Sequence, residues 1–413
     1  MNNRQLVVAV AVLVILGAVF LIVSKKEDTS WKRGDNSIDK NILLKNFDVN
    51  RVAKLLLRGK HAEVRVERSK TGWVVAERGG FPADFDKVKK FVMKLSKLEV
   101  VQKPRVMKSQ FKEFGLIQPP DAPDKEEGKE PTNKNAKTTT GVALSLRDGD
   151  DKELVGMLFG GFHIAPAKGD NAYGINQNRP DGRYVLMEGT NTPILVSKPL
   201  ADAVPEPQAW LDKNAVRIFG VLSMESLGDD GKTEWKLYRK TRSSSWILDG
   251  QKKDEKLKPY TMSQISAIFE RAVFDDVIPE NGKNAEAALK NAKTIVVKTS
   301  DKFSYTIKMA VKDDKGYMKY SVSADIPEKR APNTRKNGET EKNLPSEARI
   351  KELSAKLEKE KNLSKWIYVY PKYMVEKILK KRSDFVVQAT PKTNSGKEKT
   401  GTPGGKGDGG QGE

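Results

Sequence analysis

The chain is 413 residues long, 37% hydrophobic and 31% charged, with 75 Lys+Arg against 55 Asp+Glu for a net charge of +20. That length suits two or three domains of ordinary size, and the composition supplies a core beneath a strongly ionic surface. The chain has no cysteine, which excludes disulfides, thiol catalysis and thiolate metal sites together.

The first element is Leu6 to Val23, "LVVAVAVLVILGAVFLIV", 18 residues without a charge or a strongly polar group. As a helix it spans about 27 Å, close to the hydrocarbon thickness of a bilayer. A cleaved signal peptide has a shorter apolar region and a small-residue cleavage site, whereas this run ends "FLIVSKKED". The expectation is an uncleaved signal anchor over residues 1–25, with Trp31 just outside it as a membrane-interface candidate. Lys25, Lys26, Lys32 and Arg33 follow the run and only Arg4 precedes it, so the positive-inside rule alone would hold the large C-terminal part in the cytoplasm. Long domains translocate largely regardless of charge, and a cysteine-free chain suits an oxidising compartment, so the expected location of that part is extracytoplasmic.

Beyond the anchor the chain says one thing twice. "EVRVERSKTGWVVAE" (63–77) and "EWKLYRKTRSSSWILD" (234–249) each alternate apolar with charged residues, turn through small polar ones, and resume at a Trp. Period-2 alternation around a turn is a β-hairpin with one buried face. A helix is expected after each hairpin. Asp84 caps the first, with Phe85, Val88, Phe91, Val92, Leu95 and Leu98 at helical spacing. Thr261 to Gln264 has capping-box form in the second, ahead of Ile265, Ile268, Phe269 and Ala272.

New strand runs then begin at "GVALSL" (141–146) and "TIVVKT" (294–299), with "RYVLME" (183–188) as a further strand and "DDKG" as a hairpin turn. Each unit closes on a strand leading into a Pro-marked helix, "ILVSKPLADAV" (194–204) and "IYVYPKYMVEKIL" (367–379). Trp73 to Trp246 and Ile194 to Ile367 share one offset, 246 − 73 = 367 − 194 = 173. Two landmarks in register with the same element order point to duplication. The expected fold is α+β: an N-terminal transmembrane helix, then two tandem repeated modules of mainly antiparallel β-sheet with packed helices, at 38–205 and 206–388. Polar inserts at about 118–141 and 327–348 and a Gly/Lys-rich tail at 389–413 have the composition of disordered segments.

Set against these elements, "GGF…RYVLMEG…ILVSKPLADAV…AWLDK", the Trp hairpins, the anchor and the duplication resemble the bacterial domain-of-unknown-function 4340 family over most of residues 40–380. The resemblance implies an anchored, extracytoplasmic protein of the inner membrane, often encoded beside ABC transporters of the gliding-motility type. It implies no catalytic residues.

The residues themselves offer little chemistry. His61 and His163 stand apart, without a carboxylate at metal-ligand spacing. "DGDDKE" (148–153) lacks the Gly and Glu that a calcium loop of the EF-hand type needs and reads as a β-turn. "GGFHIAPAKGDNAYG" has neither dinucleotide nor P-loop spacing, and Gly160 and Gly161 are expected to relieve a bend after a strand. Trp73, Trp235, Trp246 and Trp366 fall on inward strand positions as repeat-core aromatics rather than stacking platforms. The Lys and Arg are spread along the chain with acids interleaved, which argues against a nucleic-acid interface. The expected function is a non-enzymatic accessory or scaffold protein on an ABC-type membrane complex, with no catalytic, cofactor or metal residues. The alternatives are a module binding an anionic envelope polymer or lipid, and a carboxylate hydrolase.

Overall fold

A computed structural model of the chain describes residues 41–124, 139–164, 179–282, 284–327 and 346–388. The run Leu6–Val23, Trp31, most of the two polar inserts and the tail from 389 lie outside the described residues. Among the described residues no helix is long and apolar enough to cross a membrane. They form an α+β body dominated by antiparallel sheet, with few helices.

Alternation builds the first sheet. Strand β1 (Lys54–Arg58) buries Leu55 and Leu57, and β2 (Glu63–Ser69) buries Val64 and Val66, while their charged neighbours face outward. After β3 (Gly72–Val75) and β4 (Phe81–Pro82), Asp84 Oδ1 accepts the Lys87 amide at 3.0 Å and starts helix α1 (Phe85–Ser96). Val88, Phe91, Val92 and Leu95 recur at three- and four-residue spacing on its buried face, worth roughly 6–12 kcal/mol of transfer free energy at most. Strands β5 (Val100–Gln102), β6 (Val142–Arg147), β7 (Glu153–Ile164), β8 (Pro180–Met187) and β9 (Ile194–Val196) complete a nine-stranded sheet ordered β4-β3-β2-β1-β6-β7-β8-β9-β5.

The second sheet follows the same rules. It contains β10 (Val221–Leu227), β11 (Thr233–Tyr238) and β12 (Ile247–Leu248). Strand β13 (Glu255–Leu257) leaves it, and helix α2 (Pro259–Arg271), strand β14 (Asp276–Pro279) and the short helix α3 (Ala285–Ala288) come next. Strands β15 (Lys293–Thr299), β16 (Phe303–Lys312) and β17 (Lys315–Ala324), helix α4 (Glu347–Leu363), strand β18 (Trp366–Pro371) and helix α5 (Lys372–Glu376) close it. The order is β12-β11-β10-β15-β16-β17-β18-β14, and β13 pairs instead with β19 (Val386–Gln388). Asp313 and Asp314, both at positive φ, make the two-residue turn between β16 and β17. Helix α4 buries only Leu353 and Leu363 and is tied down by polar bonds. Tyr305 Oη donates to Glu360 Oε2 at 2.6 Å, Tyr320 Oη to the Glu360 carbonyl at 3.1 Å, and Lys356 Nζ lies 2.7 Å from Asp301 Oδ2.

Two local expectations change. The segment after β9 is a turn rather than a helix: Leu200 takes a left-handed φ of 47°, and Ala203 N bonds back to the Leu200 carbonyl. Helix α2 begins at Pro259, in the first turn where a missing amide costs nothing, so Thr261 lies inside the helix.

The sheets share one core, and they meet where the β3–β4 connection of the first touches β14 and β18 of the second. Phe81 packs edge-on against Phe274, Trp366 and Tyr368 at 5.6, 5.3 and 6.0 Å between ring centres. Above this cluster Arg78 binds Asp276 with two bonds, and Trp366 Nε1 donates to the Arg78 carbonyl at 2.7 Å. Gly79, at φ 64°, lies so near that an added Cβ would touch the Pro279 ring at 3.0 Å.

Candidate functional site: a charged cleft on the first sheet

The outer face of the first sheet is half covered. Phe111, Leu116 and Leu158, flanked by Val106, Phe114, Ala143, Tyr184 and Leu186, make a second small apolar cluster there. The covering segment lies close to β7 because Gly160 and Gly161 permit it. The Gly161 amide donates to the Phe114 carbonyl at 2.7 Å, and a Cβ on Gly160 would sit 2.5 Å from that oxygen. The two glycines thus lie within a strand, at a register shift between Phe159 and Phe162, and serve a close approach rather than a bend after the strand.

Where the cover stops, a cleft of about 420 Å³ opens over β1, β6, β7 and β8, walled by Gln118–Asp121. Registry sets its floor: Leu56 is opposite Ser145, Ser145 is opposite Gly156, and the Glu188 amide bonds the Gly156 carbonyl. Gly156 leaves the middle of this row without a side chain, and the Glu188 carboxylate occupies the space: a Cβ on Gly156 would meet it. Ser145 Oγ donates to Glu153 Oε1 at 2.5 Å, and Arg147 Nε donates to Ser145 Oγ at 3.2 Å. Hydrogen bonding with Glu153, followed by the charge of Glu153, raises the Glu188 pKa. On the far wall Arg58 reaches the Asp121 carbonyl at 3.3 Å, while its buried Nε has no hydrogen-bond partner among the described residues.

This arrangement can receive a hydrogen-bond donor or a cationic group. Among the described residues no group of three or more His, Cys, Asp or Glu is placed to hold a metal ion. A second cavity, about 20 Å³ and lined by Ile218, Phe269, Met309, Met318, Tyr370 and Ile378, is a packing void beneath α2 and α5.

The four repeat tryptophans do not converge on the cleft. Trp235 is buried, donates Nε1 to the Lys380 carbonyl at 2.9 Å and stands edge-on to Phe385. Trp73 and Trp246 are half-buried against the main core, Trp246 beneath the Arg239 guanidinium at 4.5 Å, and Trp366 joins the sheet junction. His163 Nδ1 lies 2.7 Å from Asp181 Oδ1. The Asp148–Lys152 stretch is the expected turn, its Asp148 Oδ1 accepting the Asp150 and Lys152 amides.

Sequence reasoning passed over Ser145, Glu153, Glu188 and the buried Arg183. Arg183 bonds the Gly160 and Leu200 carbonyls and lies over the Phe159 and Phe162 rings, and burial lowers its pKa to about 10, still protonated at neutral pH. The available signal for the cleft was a glycine in mid-strand, Gly156, between Val155 and Met157.

Fold and cleft define a two-sheet antiparallel α+β protein with a mixed-charge surface cleft. Over residues 73–292, 220 of 413 and so just over half of the chain, it matches the family model described as "Domain of unknown function (DUF4340)". The chain belongs to that family. No curated protein and no solved structure matches it.

Proposed function

We propose that this chain is a membrane-tethered, extracytoplasmic accessory protein of the bacterial inner membrane. It has no catalytic activity and docks on a membrane complex of the ABC-transporter type. The observation that carries the reading is the uncharged run Leu6–Val23, long enough to cross a bilayer once and placed directly ahead of a large folded body. The resemblance to a family often encoded beside gliding-type transporters supplies the kind of complex.

The body is read as two tandem modules, 38–205 and 206–388, behind the anchor at 1–25 and ahead of the tail at 389–413. The shared 173-residue offset supports this, as does the strand order. From β3, the first sheet runs β3-β2-β1-β6-β7-β8-β9-β5, and the second runs β12-β11-β10-β15-β16-β17-β18-β14, with the same hairpin, centre and returning edge in the same places. Two equivalent sheets on one core make a rigid spacer with two similar faces, which suits a docking role.

The test is affinity purification of the full chain in mild detergent from its native host. Reproducible recovery of transporter subunits supports the reading, and repeated recovery of the chain alone counts against it.

A further inference from the structure

We propose that the exposed strap Val101–Met107 is a surface for anionic phospholipid, and that it turns the first sheet's outer edge toward the membrane. This rests on the tether proposed above. The described chain enters the body at that edge: the Val100 amide bonds the Asn41 carbonyl, the Leu43 amide bonds the Leu98 carbonyl, and Ile42 bridges Glu99. Residues 24–40, 40 − 24 + 1 = 17 of them, join this point to the apolar run and reach at most about 60 Å. The edge is therefore the part of the body joined to the bilayer by the shortest stretch of chain, which raises its effective concentration there.

The strap's own pattern fits a lipid surface. Lys103–Met107 run without regular structure between β5 and the 3-10 turn Lys108–Gln110. Pro104 and Val106 are half-buried, and Val106 packs on the outer apolar cluster. Val101, Lys103, Arg105 and Met107 are all exposed, so cationic and apolar tips share the outward side. Met107 is 68% exposed, and Val101 and Ile42 are each 37% exposed. Between Lys94 and Lys112 six basic residues face one acid, Glu99. Among the described residues only Lys94 of the six has an ion-pair partner, Asp202. On the second sheet Lys319, Lys293 and Lys302 are paired with Glu280, Glu234 and Asp325. Unpaired cations beside exposed apolar tips are the chemistry that binds phosphate headgroups and enters the interface.

The cysteine-free chain makes the test direct. Full-length Met107→Cys carries an environment-sensitive fluorophore and is incorporated into vesicles bearing a lipid-linked quencher. One set is neutral phosphatidylcholine, and the other contains about 30% phosphatidylglycerol. A control fluorophore sits at Ser243→Cys, in the turn before β12. Quenching is expected at 107 in anionic vesicles only, at least about threefold weaker in K103E/R105E, and absent at 243. Equal quenching in both lipids, or equal quenching at 243, overturns the surface. So does a label shielded from aqueous iodide yet unquenched by lipid, which would place a protein partner or a second copy there. Resistance to alkaline carbonate extraction reports the anchor separately. Insertion without quenching sinks the strap alone, whereas quenching without insertion sustains the strap and sinks the tether.

Discussion

Arg78 and Asp276 stand 198 residues apart in the chain and are joined by two parallel bonds, Nε to Oδ1 at 2.6 Å and Nη2 to Oδ2 at 2.8 Å. The pair spans the junction of the two sheets, and the backbone carbonyl of the same arginine accepts the Trp366 indole. One residue of the first sheet's connection thus grips two elements of the second. The planar guanidinium fork meets the carboxylate on both nitrogens, which fixes orientation as well as distance.

Removing either partner leaves the other half-buried and without its partner. Arg78→Ala and Asp276→Ala should each lower stability by about 1–3 kcal/mol, and the double variant should cost less than their sum. Arg78→Lys should not restore the parent, because a lysine cannot make both bonds. Chemical denaturation of the parent and the four variants checks this, and additive losses would show that the pair is not coupled.

Phe81 is the apolar counterpart of that clasp, fully buried among Phe274, Trp366 and Tyr368. Phe81→Ala should cost about 3–5 kcal/mol and loosen the joint between the sheets more than either sheet itself. Calorimetry should show one transition for the parent and two for the variant. A single, merely shifted transition in Phe81→Ala would mean that the sheets are held together elsewhere.

Gly156 makes room for Glu188, whose carboxylate fills the gap over the strand. Gly156→Ala should force Glu188 off the sheet and destabilise by about 1–3 kcal/mol. The double change Gly156→Ala, Glu188→Gly removes the carboxylate and the Glu188 Cβ that would lie 2.9 Å from the new methyl, and should recover part of that loss. If it recovers none, the glycine is required for another reason.

The Glu188 pKa is raised from its usual 4.5, first by hydrogen bonding to Glu153 and then by the charge of Glu153. The folded state therefore holds this proton more tightly than the unfolded chain. The contribution is complete below the unfolded value near 4.5 and is lost as pH rises through the folded value. Glu188→Gln keeps a donor toward Glu153 and does not titrate. Its melting temperature should gain on the parent as pH rises above the unfolded value near 4.5. A gap that stays constant with pH would contradict the raised Glu188 pKa.

What the sequence made legible was local. The alternation of Val64 and Val66, the Asp84 cap, the helical spacing of Val88 to Leu95 and the Asp313–Asp314 turn each depend on neighbours within a few residues. The Arg78–Asp276 clasp has no such signature, since any of the chain's many charges could have met any other. The cleft was equally hidden. It exists because β1, β6, β7 and β8 align Leu56, Ser145, Gly156 and Glu188 in one row, and registry between strands is not written in any one of them. The helix expected after Ile194–Val196 failed because Leu200 takes a left-handed conformation, which turns the chain away from a helical path.

The most direct test of the account is the side of the membrane on which the body lies. A single cysteine placed at Ser243 of the otherwise cysteine-free chain can be reacted with a membrane-impermeant maleimide in intact spheroplasts. The account predicts full labelling before lysis, with the labelled chain in the carbonate-resistant membrane fraction. Labelling only after lysis, or a labelled chain free of the membrane, would contradict it.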